Sequence, residues 1–224
     1  MKTDSEIKEY YNELATSYDQ DRFDNTYGRF IDRNERMIIE QLLLKEKGSV
    51  ILDLACGSGR FLNYATIGID VSEEMIKVSQ KKFREKKLYV ADGEHLPLED
   101  NSVDVIFSFH LFMHLNDEKI ARILTECNRV LKDNGKVIFD IPSKKRRQLL
   151  NKKRNGWHGS YSMALKDLKE NKEFKITRSF GLLLLPIHRL PPFIRPVFTK
   201  VDHWFANSFF KEYSSYLIIE MKKK

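Results

Sequence analysis

The stretch Val50-Ile51-Leu52-Asp53-Leu54-Ala55-Cys56-Gly57-Ser58-Gly59-Arg60-Phe61 constrains the fold more than any other part of the chain. A short apolar run carries an aspartate, a small-residue turn with two glycines follows, and helix-compatible residues then resume. That order predicts a buried strand, a tight turn and a helix N-terminus. Gly57 and Gly59 can take backbone angles closed to other residues, and neither puts a side chain in a ligand's way. Amides at a helix start also favour an anionic group. A dinucleotide site needs a third small residue three positions after the second glycine. Here that position is Leu62, so the pyrophosphate fingerprint fails. An ordinary strand–helix turn is the plain alternative, and it weakens only if later strands supply the rest of a site.

They do supply candidates. Asp70 follows Asp53 by 17 positions, so the first core helix must be short, about two turns. The second strand, from Thr66, ends in Asp70. Ser72 then suits a helix N-cap, with Glu73 and Glu74 at the positive end of the dipole. An acid at the tip of a second strand is placed to accept hydrogen bonds from both ribose hydroxyls; the plainer role is to assist the helix start. Leu88-Tyr89-Val90-Ala91-Asp92-Gly93 reads as a third strand and its exit. Residues Leu96 to Ser108 give a polar turn and a strand buried on both faces. A helix from Asp117 to Leu131, a turn at Asp133-Asn134-Gly135 and a fifth strand from Lys136 to Ile141 follow. Such alternation predicts an α/β fold: a Rossmann-like, doubly wound, mostly parallel seven-stranded sheet with helices on both faces. Cofactors then bind at the strand C-terminal ends.

With Asp53, Ala55, Gly57 and Gly59 in the first motif and Leu96 to Ser108 in the fourth, the chain resembles the class I S-adenosylmethionine-dependent methyltransferases. The similarity is to the branch that includes the quinone-biosynthesis C-methyltransferases, and it covers about residues 10–142. It implies S-adenosyl-L-methionine as cofactor and several residue roles. A Tyr-Asp pair such as Tyr18-Asp19 lies near the methionine end, with Tyr11 and Arg33 as further candidates there. Asp92 receives the adenine amino group, with Val71, Met75, Ala91 and Gly93 beside the ring. The exit of the fourth strand, Ser108-Phe109-His110-Leu111-Phe112-Met113-His114, faces the methyl group. His110 and His114 stand four apart and share a face on a helical turn. Either is a candidate base, and packing or capping is the plainer role. A zinc site needs further ligands than these, and no metal ligands are assigned.

The flanks are less specific. Residues 5–20 read as one amphipathic helix through Ile7, Tyr10, Tyr11, Leu14 and Tyr18. A second helix carries Phe30, Ile31, Met37, Ile38, Leu42 and Leu43 and is ended by Gly48. Beyond the core, Lys144, Lys145, Arg146, Arg147, Lys152, Lys153 and Arg154 form a basic run, either a solvated helix face or a contact for phosphate. Phe174 to Leu185 and Lys211 to Met221 read as the last strands. Between them, Pro186 to Phe210 carries an apolar helical stripe that packs on the sheet, covers an apolar acceptor or touches a membrane surface. His158, His188 and His203 are candidates for the acceptor side.

The chain of 224 residues, 42% hydrophobic and 32% charged, is read as one domain. Residues 1–47 form a helical cover, 48–142 the cofactor-binding core, and 143–224 the basic segment, last strands and insertion. Two cysteines, no apolar leader and no spanning run point to a cytoplasmic protein, peripheral at the membrane if the stripe meets lipid. A charge of +7 is compatible with anionic partners but diagnostic of none. The expected reaction moves a methyl group to O, N or C of a small or lipid-like acceptor. The alternatives are an RNA or protein methyltransferase that uses the basic run, and a non-catalytic S-adenosylmethionine-binding module. Acceptor and oligomeric state are left open.

Overall fold

The computed structural model describes residues 3–151, 159–191 and 193–224. Seven strands form one sheet in the order β3-β2-β1-β4-β5-β7-β6. They are β1 (Ile51–Leu54), β2 (Ile67–Asp70), β3 (Lys87–Val90), β4 (Val103–Ser108), β5 (Leu131–Pro142), β6 (Phe174–Leu182) and β7 (Tyr216–Lys223). The first five run parallel, whereas β7 is antiparallel to both β5 and β6.

Period-2 alternation sorts the sheet residues between two cores. Leu52, Leu54, Ile106, Val137, Phe139 and Ile219 join the helix α5 (Asp117–Val130) through Ile120, Ile123 and Leu124. Ile51, Val105, Phe107, Ile138 and Ile218 face the other way. There they meet Ile31, Ile38, Ile39 and Leu42 of α3 (Thr26–Leu43) and Ile76 of α4 (Glu73–Lys82). Asp53 and Asp140 belong to this second set by the same parity, which puts two buried acids under α3.

Several expected boundaries differ. The N-terminal helix is two helices, α1 (Asp4–Leu14) and α2 (Tyr18–Phe23), because the chain turns at Ser17, whose amide bonds back to Leu14 and whose hydroxyl bonds to Asp21. The turn swings Tyr18 inward. The short helix expected after the glycine turn is only a 3₁₀ turn, Leu62–Tyr64. β5 begins at Leu131, five residues early, since the expected turn is absorbed as an irregularity with Asn134 at positive φ. In the last segment, β7 starts at Tyr216 and Lys211–Tyr213 is a 3₁₀ turn.

Three helices complete the chain: α6 (Lys144–Leu149), α7 (Leu165–Lys169) and α8 (Arg195–Ala206). The apolar stripe on α8 is only partly covered. Trp204 is 69% exposed, and Phe193 and Phe209 beside the helix are above 80%. No described helix is long and apolar enough to cross a membrane. His158, the His188 side chain, and Lys152, Lys153 and Arg154 lie outside the described residues.

Candidate active site

The C-terminal ends of β1, β2 and β4 and the cover helices enclose a trough of about 840 Å³, its open mouth included. Tyr11, Tyr18, Asp53, Ala55, Gly57, Asp70, Val71, Met75, His110 and His114 line it. It runs on, through Ala55, Asp70 and Val71, into a shallower arm lined by Ala91, Asp92 and Gly93. Three expected residues fall elsewhere. Arg33 is exposed on α3 and lines no described cavity. Ser108 is buried behind the trough, its hydroxyl without a hydrogen-bond partner. Gly59 is a packing position.

The two glycines differ in kind. A Cβ at Gly59 (φ +90°) would meet the Phe83 ring at 3.0 Å. A Cβ at Gly57 (φ +54°) would meet only the Met75 sulfur, at 4.0 Å. Gly57 therefore keeps open space that a ligand can enter. Ala55 also takes a left-handed conformation, φ +61°.

Asp70 is fixed by the turn it faces. One carboxylate oxygen accepts the Gly57 amide at 2.8 Å, the other the Ser72 amide at 2.9 Å. Burial pushes its pKa up, and these amides oppose the shift. Asp53 is less satisfied: its Oδ2 is buried with no hydrogen-bond partner. Burial holds its pKa well above the usual carboxylate range, against the pull of Arg60 and with some help from Asp70. A buried acid with an unused oxygen is a receptor for a cationic or hydrogen-donating ligand group.

The cover is tied across this rim. Asn12 Oδ1 accepts from the Ser72 hydroxyl at 2.6 Å, and Lys8 pairs with Glu73 at 2.9 Å. Asp19 accepts from the Ser58 hydroxyl and pairs with Lys82.

The two histidines, candidate bases with packing or capping as the plainer role, are both held by neighbouring groups. His110 has φ +64° and donates its backbone N–H to Asp140 at 2.6 Å. Its Nε2 lies 3.0 Å from Glu35 Oε1 and its Nδ1 lies 3.6 Å from Asp140 Oδ2. The shorter contact has ion-pair distance without hydrogen-bond alignment, since both of its atoms lack a hydrogen-bond partner. Burial alone would lower the His110 pKa, but Glu35 and then Asp140 outweigh it and raise it. Burial works against ionised Glu35 too, yet His110 and Arg60 hold it well below the usual range. An imidazolium with a carboxylate beside each nitrogen offers no lone pair to an acceptor. His114 is also engaged: Nδ1 accepts the Gly159 amide at 2.9 Å, and Nε2 lies 3.3 Å from the Tyr11 hydroxyl.

Glu35, Arg60 and Asp140 were not singled out by sequence. Arg60 bonds Glu35 at 2.7 Å and stacks over the Phe61 and Phe23 rings. The available signals were an acid within the apolar stripe of α3 and another inside an apolar strand. Glu35, His110 and Asp140 bring three groups of metal-ligand type within 4.8 Å. Arg60 already supplies the positive charge that such a set attracts.

A family model described as a methyltransferase domain matches residues 52–139, from β1 through β5. Those strands carry the trough. Over those residues the chain carries a methyltransferase domain, in line with the class I resemblance. An uncharacterized protein of Methanocaldococcus jannaschii is 42% identical to this chain over 138 residues, 60% of the chain and 51% of that protein. The demethylmenaquinone methyltransferase of Thermotoga maritima is 29% identical over 62% of each chain. The chain thus spans about half to three-fifths of the length of these two relatives. The crystal structure of magnesium protoporphyrin IX methyltransferase from Synechocystis PCC 6803, with bound SAH, shares the fold. Its TM-score is 0.66 at 16% identity, over 99% of this chain and 100% of that one. The family's cofactor fits the trough: Gly57 leaves room for close backbone approach, and the unpartnered Asp53 oxygen awaits a donor or cation.

Proposed function

We propose that this methyltransferase moves the methyl group of S-adenosylmethionine to a small or lipid-like acceptor by in-line displacement. The observation that carries the reading is the junction of two pockets. The trough shares Tyr18, Phe23, His110 and His114 with a second pocket lined by Tyr27, Ile31, Met113 and Tyr216. Donor and acceptor can meet at that seam.

In this reading Asp70 holds the ribose hydroxyls, Asp92 the adenine amino group, and Asp53 the cationic methionine end. Tyr11 and Tyr18 close the trough from the cover. When bound, the cofactor supplies a methyl group already activated by a positive sulfur. The chain's main task is then alignment and exclusion of water, which is a large part of such a barrier. His114 orients Tyr11 at the seam. His110 is held as a cation in the wall, a positioning and electrostatic role instead of the expected base. An acceptor atom that is already a good nucleophile suits this arrangement.

A second site feature bears on location. The exposed aromatic face of α8, with Arg195 and Lys200 on the same helix, has the make-up of an interfacial helix at an anionic membrane. This supports a cytoplasmic enzyme that is peripheral at the membrane.

Two measurements test the proposal. Calorimetry with S-adenosylmethionine and its demethylated product reads the donor site. Transfer of labelled methyl to extract fractions of lipids, small molecules, RNA and proteins reads the acceptor. Label in the lipid or small-molecule pool is expected. Label only in RNA or protein overturns the acceptor class, and tight donor binding without any transfer points to a non-catalytic module.

A further inference from the structure

Helix α6 sorts its cations into two kinds. Lys144 pairs with Asp167 at 3.3 Å and Lys145 with Glu212 at 2.5 Å, so both are met by carboxylates. Arg146 is anchored differently: its Nη1 donates to the carbonyls of Leu184 at 2.6 Å and Tyr213 at 2.8 Å. Arg147 donates to the carbonyls of Gly159, Ser160 and Tyr161, at 2.6 to 2.9 Å. At Arg146 the carbonyls fix the plane of the guanidinium but do not cancel its charge, which leaves a rigid fork suited to phosphate or carboxylate. Asp202 acts on Arg146 through space, while one of its oxygens accepts the Leu185 amide.

Arg146 and Arg147 line one cavity together with Arg189, and no carboxylate lines it among the described residues. Tyr27 and Tyr216 form part of its wall and also line the pocket at the His110–His114 seam. Donor trough, seam pocket and arginine cavity are therefore successive compartments, and Asp21, Arg22 and Asn25 stand in the wall of the middle one. Nucleic acid is read by cations spread along an open face. Here the cations line a recess, and Lys144 and Lys145, the described lysines beside them on α6, are paired.

We infer that the arginine cavity is an anion subsite for the acceptor. The phosphate or carboxylate of an amphipathic small molecule is held by Arg146, Arg147 and Arg189. Its apolar body lies against Tyr27 and Tyr216, and its reacting atom reaches the seam. The inference rests on the methyl-transfer reading of the trough and narrows the acceptor to an anionic amphiphile.

Calorimetry on the full chain saturated with S-adenosylhomocysteine tests it, with decyl phosphate, decanol and inorganic phosphate as probes. Decyl phosphate should bind at least about tenfold more tightly than either other probe, the size expected of a charge-assisted hydrogen-bond set. Arg189→Gln and Arg146→Gln should each lose about tenfold for decyl phosphate and keep their affinity for decanol. Lys144→Gln should bind like the parent. Titration of each variant with S-adenosylhomocysteine reads its folding, and Arg189, whose side chain holds no hydrogen bond or ion pair among the described residues, keeps the test open if Arg146→Gln fails to fold. Equal binding of decyl phosphate and decanol overturns the subsite, as do arginine variants that bind decyl phosphate normally. Equal binding of inorganic phosphate overturns the amphiphile. A short RNA that displaces decyl phosphate at lower concentration overturns it in favour of nucleic acid. If the parent chain fails to bind S-adenosylhomocysteine, the methyl-transfer reading falls. The same titrations without it still judge the arginine cavity.

Discussion

The backbone N–H of Gly159 points at Nδ1 of His114, 2.9 Å away, and so fixes the tautomer of that ring. An imidazole nitrogen that accepts a hydrogen bond carries no proton, so the proton of neutral His114 sits on Nε2, facing the Tyr11 hydroxyl at 3.3 Å. The tyrosine is then oriented to donate onward into the trough, and burial raises its pKa so that it keeps its proton. Tyr11→Phe removes that donor with little change of shape. Its kcat should fall about fivefold to tenfold, the value of one neutral hydrogen bond, with donor affinity within about twofold. A Tyr11→Phe variant with parental kcat would remove the tyrosine from the reaction.

Asp70 holds the glycine turn and faces the donor at once. Asp70→Ala, which removes the proposed ribose acceptor and the carboxylate that holds the Gly57 and Ser72 amides, should lose roughly a hundredfold in affinity for S-adenosylhomocysteine. Asp92→Ala, which touches only the shallow arm, should lose about tenfold. Equal, small losses in calorimetry would take the ribose assignment away from Asp70.

Burial leaves Asp53 with a raised pKa. A cationic ligand beside it favours the ionised form, so its pKa falls on binding. The free protein then carries more protons than the complex, and binding of S-adenosylmethionine should release protons and tighten as pH rises. Calorimetry in buffers of different ionisation enthalpy measures the release. Asp53→Asn should abolish it, and uptake in place of release would contradict the assignment.

Much of this arrangement was legible from the chain alone. Asp53, Gly57, Asp70 and Asp92 could be placed because each sits at the end of a strand, where a short-range pattern fixes both the strand and its exit. Glu35, Arg60 and Asp140 were not, because their meaning depends on α3 crossing the second face of the sheet. Periodicity tells that Glu35 lies on the buried stripe; it does not tell which strand residue lies opposite. The same limit explains His110. Its place after β4 was readable, but the two carboxylates beside its ring come from residues 75 positions before and 30 after it in sequence. The break at Ser17 was hidden by apolar spacing that continues through it.

The Glu35–His110–Asp140 cluster makes stability depend on pH. His110 is raised above its ordinary 6.5, so its contribution is complete below that value and lost as pH rises through the folded pKa. Asp140, raised by burial, also favours the more acidic side. Glu35 is lowered from its ordinary 4.5, so its contribution is present above that value and lost as pH falls through the depressed one. The melting temperature should therefore be higher near about pH 6 than near about pH 9. Glu35→Ala, which takes from His110 and Arg60 the nearer of their carboxylates, should cost about 3–5 kcal/mol in denaturant titrations and flatten that dependence. A melting temperature that climbs from about pH 6 to about pH 9 would rule the cluster out as its source.

The exposed face around α8 predicts lipid contact. The parent chain should float with vesicles containing anionic lipid, and Trp204→Ser together with Phe209→Ser should weaken this at least about tenfold. Retention of the double variant on such vesicles would assign the attachment to the basic residues alone.

The N-terminal cover is fastened around the rim by polar links, Lys8 to Glu73, Asn12 to Ser72, and Asp19 to Ser58 and Lys82, outside its buried tyrosines. Dissolved ions loosen the charged links of this latch, while the buried rings of Tyr11 and Tyr18 draw it closed. Turnover limited by product escape would quicken in moderate salt while the unfolding midpoint stayed put. The strap would then serve as the clock of the enzyme, with its rate set by the medium around it.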